Sequence, residues 1–159
     1  MVSDSFTRAL AFVLNVEGGY NKADPADRGG PTNLGVTQAV YDNYRATMRL
    51  PTQPVTMITR DEAAAIYRNG YWDPLGCGEM TWPLAVVVFD AAVNHGPGRA
   101  QRFLRDVAWA DVPETVQSFA LLCLRRAFYR RLTEQDATQA KFLTGWLNRL
   151  EKLRVEAQG

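Results

Sequence analysis

Cysteine and histidine are scarce in this chain of 159 residues, which has two cysteines and one histidine. Zinc sites in proteins need a cluster of Cys, His or carboxylate ligands, and no clustered Cys/His pattern is present. The sequence therefore argues against zinc-dependent amidases and metallopeptidases, and we expect neither a metal nor an organic cofactor. Whether Cys77 and Cys123 form a disulfide is left open by the sequence, and buried free thiols are the preferred interpretation.

Long apolar runs and an export signal are also missing. The longest apolar candidate, Leu84–Phe89, falls far short of the roughly 20 residues that cross a bilayer. The N-terminus has no cationic start, apolar stretch and small-residue cleavage site in the order that signal peptides require. We therefore expect no transmembrane segment and no signal peptide.

Net charge is close to zero, at +1, and it is unevenly distributed. Residues 1–80 carry 7 basic and 9 acidic side chains, whereas residues 81–159 carry 11 and 8. The chain lacks a glycine-rich phosphate loop and a basic–aromatic motif, so nucleic acid is not an expected partner. With 47% hydrophobic residues, the chain can bury a core without disulfides or metal sites. We expect one compact domain over residues 1–159, and we expect it to be monomeric.

The first predicted helix ends at an acidic residue. Its apolar side chains follow the helical period, and one stripe contains Phe6, Leu10, Val13, Leu14 and Glu17. The two glycines that follow favour a helix end there, because glycine readily adopts the left-handed conformation. Burial and the negative end of the helix dipole both raise a carboxyl pKa, so Glu17 is a candidate general acid. A solvated glutamate at a frayed helix end is the alternative.

A glycine-rich loop over residues 18–36 brings a second acid. Asp27 could orient or deprotonate a water, or stabilise positive charge at an anomeric carbon, and the Thr32 hydroxyl could hold that water. Two carboxylates in different environments are the minimal equipment for hydrolysing a glycosidic bond. The structural alternative is that the aspartate only forms an Asx-turn.

Other side chains are candidates for sugar contacts. Tyr20, Tyr71 and Trp72 could stack on sugar rings, since aromatic faces pack against the apolar face of a pyranose. Asn94 could hydrogen-bond an N-acetyl group. Core packing is the alternative for each aromatic, and His95 is interpreted as structural because no nucleophile pairs with it.

The remaining pattern predicts a mainly α fold. Helices are predicted over 36–50, from a capping box at 59–62 to Gly70, and over 83–94, 97–108, 113–132 and about 138–155. Tyr20, Leu34 and Val36 would support a small β-hairpin near the acidic loop. The apolar pattern also predicts the buried faces of the last two helices. The face predicted for 113–132 comprises Val116, Phe119, Ala120, Cys123, Leu124, Ala127 and Phe128, and the face predicted for about 138–155 comprises Phe142, Trp146, Leu150 and Leu153.

Several motifs together resemble a known family. They are Glu17–Tyr20 (Glu-Gly-Gly-Tyr), Asp27–Thr37 (Asp-Arg-Gly-Gly-Pro-Thr-Asn-Leu-Gly-Val-Thr), Tyr71–Pro74, Phe89–Gly96 and Phe142–Arg149. The first two resemble the signature of glycoside hydrolase family 108, lysozyme-like N-acetylmuramidases of which many are phage endolysins. The family's catalytic glutamate matches Glu17. The order also resembles the Glu–Asp–Thr triad of phage-type lysozymes, which would give roles to Asp27 and Thr32.

The resemblance implies a lysozyme-like, two-lobed helical fold and bacterial peptidoglycan as the partner. Residues 1–93 would form the catalytic signature region, and residues 94–159 a helical lobe that resembles a peptidoglycan-binding region. The implied reaction is cleavage of the β-1,4 bond between N-acetylmuramic acid and N-acetylglucosamine. An endolysin would be made in the host cytoplasm and would act on the wall, in the periplasm, after release that depends on a holin.

Three other functions stay open at this point. A lytic transglycosylase also needs a catalytic glutamate but forms an anhydro sugar without water. A chitinase-like glycosidase would cut a related polymer. A catalytically silent wall-binding or secretion-accessory module would bind walls without releasing reducing ends. The sequence leaves retention or inversion at the anomeric carbon open, because that outcome depends on the separation of the two carboxyl groups.

Overall fold

The computed structural model describes residues 5–17 and 32–159, apart from the side chain of Glu17. The main elements are α1 (Ser5–Glu17), β1 (Thr32–Asn33), β2 (Val36–Thr37), α2 (Gln38–Thr47), α3 (Arg60–Tyr67), α4 (Trp82–His95), α5 (Pro97–Val107), α6 (Glu114–Gln135) and α7 (Ala140–Gln158). The mainly α, lysozyme-like fold with one small hairpin is confirmed. Within these ranges no helix is both long and apolar enough to cross a membrane. The division of the chain at residues 93 and 94 stays a prediction.

Helix α4 occupies the centre of the fold. Every side chain from Leu84 to Ala92 is buried, and the helix packs against α1 on one side and α5, α6 and α7 on the others. Pro83 lies in its first turn, and Gly96 follows its last residue with a φ of 83°. These two residues explain why the helix lies close to the predicted range 83–94, because proline suits a first helical turn and glycine tolerates positive φ.

Helix α1 enters the same core through the predicted stripe. Phe6, Leu10 and Val13 are buried, so these residues of the predicted stripe form the inner face of α1. The Phe6 ring meets the Phe89 ring edge to face, with centroids 6.0 Å apart. This packing fixes α1 against α4, and with it the position of the Glu17 backbone.

Helices α2 and α3 both begin with a side-chain cap, and the cap of α3 is the predicted capping box. Thr37 accepts a hydrogen bond from a backbone N–H in the first turn of α2. Thr59 and Glu62 form a capping box at the start of α3. Glu62 also ties the two helices together, because its carboxylate lies 2.7 Å from Arg45 Nη1 and accepts a 2.8 Å hydrogen bond from the Tyr41 hydroxyl.

The helical path does not end at Gly70, contrary to the sequence prediction. A π-helical segment, Arg68–Trp72, continues directly from α3, and we refer to it as the π-turn. Trp72 packs edge to face against Phe6 and Phe89, at 5.4 Å from each ring centroid. Burial of this large ring outweighs the cost of one glycine in a helical segment, which is only about 1 kcal/mol.

The buried face of α6 differs from the prediction. Val116 and Phe119 are 49% and 59% exposed, and Cys123 is exposed as well. Ala127 is also exposed, while Ala120, Leu124 and Phe128 are only partly buried. The inner positions are instead Ser118, Leu121, Leu122, Arg125 and Tyr129. A face that contains a serine and an arginine does not stand out in an apolar pattern, so the periodicity pointed to the neighbouring stripe.

Helix α7 follows its predicted face over its second half only. Leu150 and Leu153 are buried, whereas Phe142 is 45% exposed. Trp146 is half-buried and stacks on the Tyr129 ring with centroids 4.8 Å apart. The first turns of α7 therefore pack loosely, and aromatic stacking joins α7 to α6.

A buried ion network joins α4, α6 and α7. Asp90 and Arg125 are fully buried, and Arg125 Nη1 lies 2.8 Å from Asp90 Oδ2. Arg149 Nη2 lies 2.7 Å from Asp90 Oδ1. Burial alone would raise the pKa of Asp90, but the two guanidinium groups outweigh burial and hold that pKa below its ordinary value. Arg125 Nε also donates a 3.2 Å hydrogen bond to His95 Nε2.

The two cysteines are free, and their environments differ. Cys77 is buried as predicted, and burial raises the pKa of its thiol to about 12. A thiol with such a pKa is unreactive at neutral pH. The prediction of burial is wrong for Cys123, which lies on the exposed face of α6.

We expect Asp90→Asn to lower the free energy of unfolding by about 3–5 kcal/mol, because it leaves a buried guanidinium without its counterion. Urea unfolding at neutral pH measures the change. Asp106→Asn is the matched control, since Asp106 is exposed on α5 and surface substitutions of this kind change stability by about 0.5 kcal/mol or less. Equal losses in the two variants would contradict a structural role for the network.

The single histidine predicts a pH dependence of stability. Burial, followed by the charge of Arg125, lowers the pKa of His95 from 6.5 to about 3, whereas the unfolded chain keeps the ordinary value. Since the folded-state pKa is the lower one, the stability is fully present above about pH 6.5 and is lost as pH falls toward 3. We expect His95→Gln to flatten this loss between about pH 7 and pH 5, where carboxylates contribute little. Urea midpoints that fall in parallel for parent and variant would refute this assignment.

Candidate active site

Glu17 is the last residue of α1. Its backbone position is set by the buried face of that helix, which packs on α4. The Glu17 side chain lies outside the described part of the structure, as do Asp27 and Tyr20. The catalytic roles of Glu17 and Asp27 and the sugar contact of Tyr20 therefore stay predictions.

The next described element is the hairpin that begins at Thr32. Strands β1 and β2 are antiparallel, and Thr32 pairs with Thr37. The two turn residues, Leu34 and Gly35, have φ angles of 50° and 72°. Positive φ at both positions is the mark of the tight turn that matches strand twist, and glycine at the second position suits it. The predicted small hairpin is confirmed, and Thr32 is half-buried at its start.

Two side chains anchor the hairpin to the helical part of the fold. The buried Tyr67 of α3 donates a 3.0 Å hydrogen bond from its hydroxyl to the Leu34 carbonyl. The Asn33 amide donates 3.3 Å hydrogen bonds to the carbonyls of Val55 and Thr56. Because both strands are only two residues long, these contacts set the position of Thr32.

Tyr71 lies beside the hairpin and lines a groove. The groove runs between α2, the π-turn and the start of α5, and its volume is about 340 Å³. This size lies within the usual range for small-molecule sites, roughly 300–1,000 Å³. Tyr71 is half-buried, and burial raises the pKa of its hydroxyl, which is therefore neutral. We refer to this space as the α2 groove.

The α2 groove reaches the hairpin through a smaller cavity of about 70 Å³. The smaller cavity is lined by Gly35, Val36 and Thr37, and it shares Val40, Ile66 and Tyr71 with the α2 groove. Thr37 pairs with Thr32, so the strand that contributes to the smaller cavity is the neighbour of the strand that carries Thr32.

Trp72 lies elsewhere, in the core, which is the alternative that the sequence left open for each aromatic. Only 3% of its surface is exposed, and its ring is packed between Phe6 and Phe89. A ring buried in this way has no face free for a sugar. Trp72 is part of the core that positions α1.

Asn94 also lies away from the α2 groove. It is near the end of α4, where its side-chain amide donates a 2.8 Å hydrogen bond to the Tyr129 hydroxyl. This contact joins α4 to α6 and gives Asn94 a structural role. Its predicted contact with an N-acetyl group stays a prediction.

The sequence did not identify the polar side chains of the α2 groove. Asn43, Tyr44 and Asn69 line it together with Val40 and Met48, which are 38% and 54% exposed. One signal was available, because Val40 and Met48 are apolar side chains of the predicted helix over 36–50 that remain exposed to solvent. An apolar helix face that remains exposed indicates a binding surface.

Two family models match consecutive parts of the chain. The model described as Glycosyl hydrolase 108 matches residues 10–96, more than half of the chain. The model described as Predicted Peptidoglycan domain matches residues 99–151. The first range contains Glu17, the hairpin and most of the α2 groove, whereas the second contains most of α5, α6 and α7.

A solved structure shares the fold. The structure of Brucella abortus SagA superimposes with a TM-score of 0.74 at 26% sequence identity, covering 96% of this chain and 93% of that one. No curated protein matches the chain significantly.

The anchored hairpin gives a test of the site's construction. Tyr67→Phe removes the hydroxyl that binds the Leu34 carbonyl and keeps the ring. We expect a loss of about 1 kcal/mol in the free energy of unfolding, the usual contribution of one hydrogen bond. We also expect faster amide hydrogen exchange over residues 34–36 and slower release of peptidoglycan fragments. Unchanged exchange in the hairpin would show that the hydroxyl does not anchor it.

Proposed function

This chain belongs to the glycosyl hydrolase 108 family and is a peptidoglycan hydrolase, and we propose that it is an N-acetylmuramidase with Glu17 as its general acid. The bond cleaved would be the β-1,4 bond from N-acetylmuramic acid to N-acetylglucosamine. The observation that carries the proposal is the position of Glu17, which ends a rigidly packed helix inside the region that the family model matches.

In the proposed reaction, Glu17 donates its proton to the glycosidic oxygen as the bond from that oxygen to the anomeric carbon breaks. The leaving sugar departs with a hydroxyl group, and positive charge develops at the anomeric carbon. Asp27 either deprotonates the attacking water or stabilises the positive charge, in which case the proton of the water returns to Glu17. Thr32 holds the water by its hydroxyl. The water oxygen ends on the anomeric carbon as a new reducing end.

The fold supports this assignment by fixing the two elements that flank the acidic loop in the sequence, α1 before it and the hairpin after it. On one side, Phe6, Leu10 and Val13 hold α1 against α4. On the other, Tyr67 holds the hairpin that begins at Thr32. General acid catalysis needs such rigidity, because misplacement of a catalytic group by about 1 Å can cost a factor of about 100 in rate. Phage origin, release through a holin and a monomeric state stay predictions.

We expect Glu17→Gln to slow the release of fragments from purified peptidoglycan by about 100-fold to 10,000-fold, the usual contribution of general acid catalysis. The substitution keeps the size of the side chain and removes its proton. Glu79→Gln is the matched control, because Glu79 is exposed and lies in the same family-matched region. Mass spectrometry of the fragments reports both the amount and the chemistry of the new ends.

The fragments separate the rival functions. Reducing muramic acid ends that depend on Glu17 support the muramidase. Anhydro ends would assign a lytic transglycosylase, and faster turnover of chitin than of peptidoglycan would assign a chitinase-like enzyme. If walls bind the parent protein but neither protein releases fragments, the chain is a binding module. Equal rates for the parent and Glu17→Gln would overturn the catalytic assignment.

A further inference from the structure

The α2 groove has no role in any step of the proposed reaction, although its lining is suited to a ligand. Its walls come from elements distant in sequence, which are α2, the end of α3, the π-turn and the first residue of α5. The lining side chains that matter here are Val40, Asn43, Tyr44, Met48, Asn69 and Tyr71. None of the described residues that line it is charged.

The amides of the groove are available to a ligand. Asn43 and Asn69 are exposed, and their side chains make no hydrogen bond to another residue in the described ranges. Each side-chain amide offers two N–H donors and one carbonyl acceptor. A ligand with its own amide would satisfy both kinds of partner.

Apart from Thr47 and Gly70, the rest of the lining is aromatic or aliphatic. Tyr44 and Tyr71 are half-buried, so part of each ring remains accessible from the groove. Val40 and Met48 are exposed apolar side chains at its edge. Aromatic rings pack against the apolar face of a pyranose, and aliphatic side chains suit a methyl group.

We propose that the α2 groove is a subsite for an N-acetylglucosamine residue of the glycan strand. The sugar ring lies against Tyr71, the acetamido methyl contacts Val40 and Met48, and the acetamido N–H and C=O bond the Asn69 and Asn43 amides. The absence of a charged lining residue favours this neutral sugar over one bearing a free carboxylate, because a desolvated carboxylate needs a cation or several donors. The inference rests on the proposed function for the identity of the polymer.

The position of the groove fits a strand that is cut nearby. The α2 groove continues into the smaller cavity along Gly35, Val36 and Thr37, and Thr37 pairs with Thr32. A glycan bound in the α2 groove therefore lies close to the hairpin that carries a predicted catalytic residue. Binding energy from this subsite would position the scissile bond, which lowers the entropic part of the barrier.

Direct binding tests the subsite without requiring turnover. The probe is a soluble tetrasaccharide of alternating N-acetylglucosamine and N-acetylmuramic acid, titrated into the full chain carrying Glu17→Gln. Isothermal titration gives the affinity, and amide NMR shifts locate the ligand. The groove variants are Asn69→Ala and Tyr71→Leu, added to that background. Asn148→Ala is the matched control, an exposed asparagine on α7.

We expect Asn69→Ala to weaken binding about threefold to tenfold, which is the usual effect of one lost hydrogen bond. Loss of a stacking ring in Tyr71→Leu should weaken it about fivefold to tenfold. Asn148→Ala should bind within about twofold of the parent, and equal thermal midpoints would show that all variants fold. Shifts should cluster at residues 40–48 and 69–71.

Two results would overturn the subsite. One is parental affinity in both groove variants, and the other is a set of shifts confined to the cavity between α6 and α7, which Phe119 and Leu122 line. The proposed function fails separately. If the parent releases no reducing muramic acid ends but the tetrasaccharide binds the α2 groove, the subsite stands and the muramidase does not.

Discussion

A single carboxylate, that of Asp90, holds together three of the helices that form the core. It lies in the middle of α4, fully buried, and contacts Arg125 of α6 and Arg149 of α7. A buried ion pair adds little stability compared with a well-packed apolar cluster, but a missing partner costs several kcal/mol. The network therefore acts mainly on the specificity of helix packing, since a different register of α6 or α7 against α4 would leave a buried charge unpaired. Through α4 the same constraint reaches α1, whose last residue is the candidate acid.

The elements that the sequence predicted well are those whose signals are local. Pro83 and Gly96 bound an almost wholly apolar segment, and that segment is α4. Thr59 and Glu62 form the predicted capping box, and the glycine at the turn marks the hairpin. In each case, a few neighbouring residues determine the backbone and no distant contact competes with them.

The elements that the sequence missed depend on contacts between distant residues. Arg125 lies on the inner face of α6, where it pairs with the buried carboxylate of Asp90 on α4. Because the apolar pattern of α6 contains no sign of this ion pair, the pattern alone indicated the wrong stripe. Gly70 signals a helix end, yet burial of Trp72 carries the helical path through it. The α2 groove is lined by residues near positions 40, 70 and 97, and no sequence motif indicates that these segments lie together. For the candidate site, the sequence supplied Glu17, Asp27, Thr32 and Tyr71 but not the α2 groove that Tyr71 lines.

The same ion network bears on how such enzymes can be rebuilt. The hydrolase match ends at residue 96 and the peptidoglycan match begins at residue 99, which suggests a seam between two exchangeable parts. The structure does not separate at this boundary, because Asp90 precedes it in the sequence and both of its arginine partners, Arg125 and Arg149, follow it. Replacing residues 99–151 with a different wall-binding module would remove Arg125 and Arg149, the counterions of Asp90, and most of the helices that pack against α4. Swapping of wall specificity therefore has to proceed on the surface of α5, α6 and α7, by substitutions that spare Arg125 and Arg149.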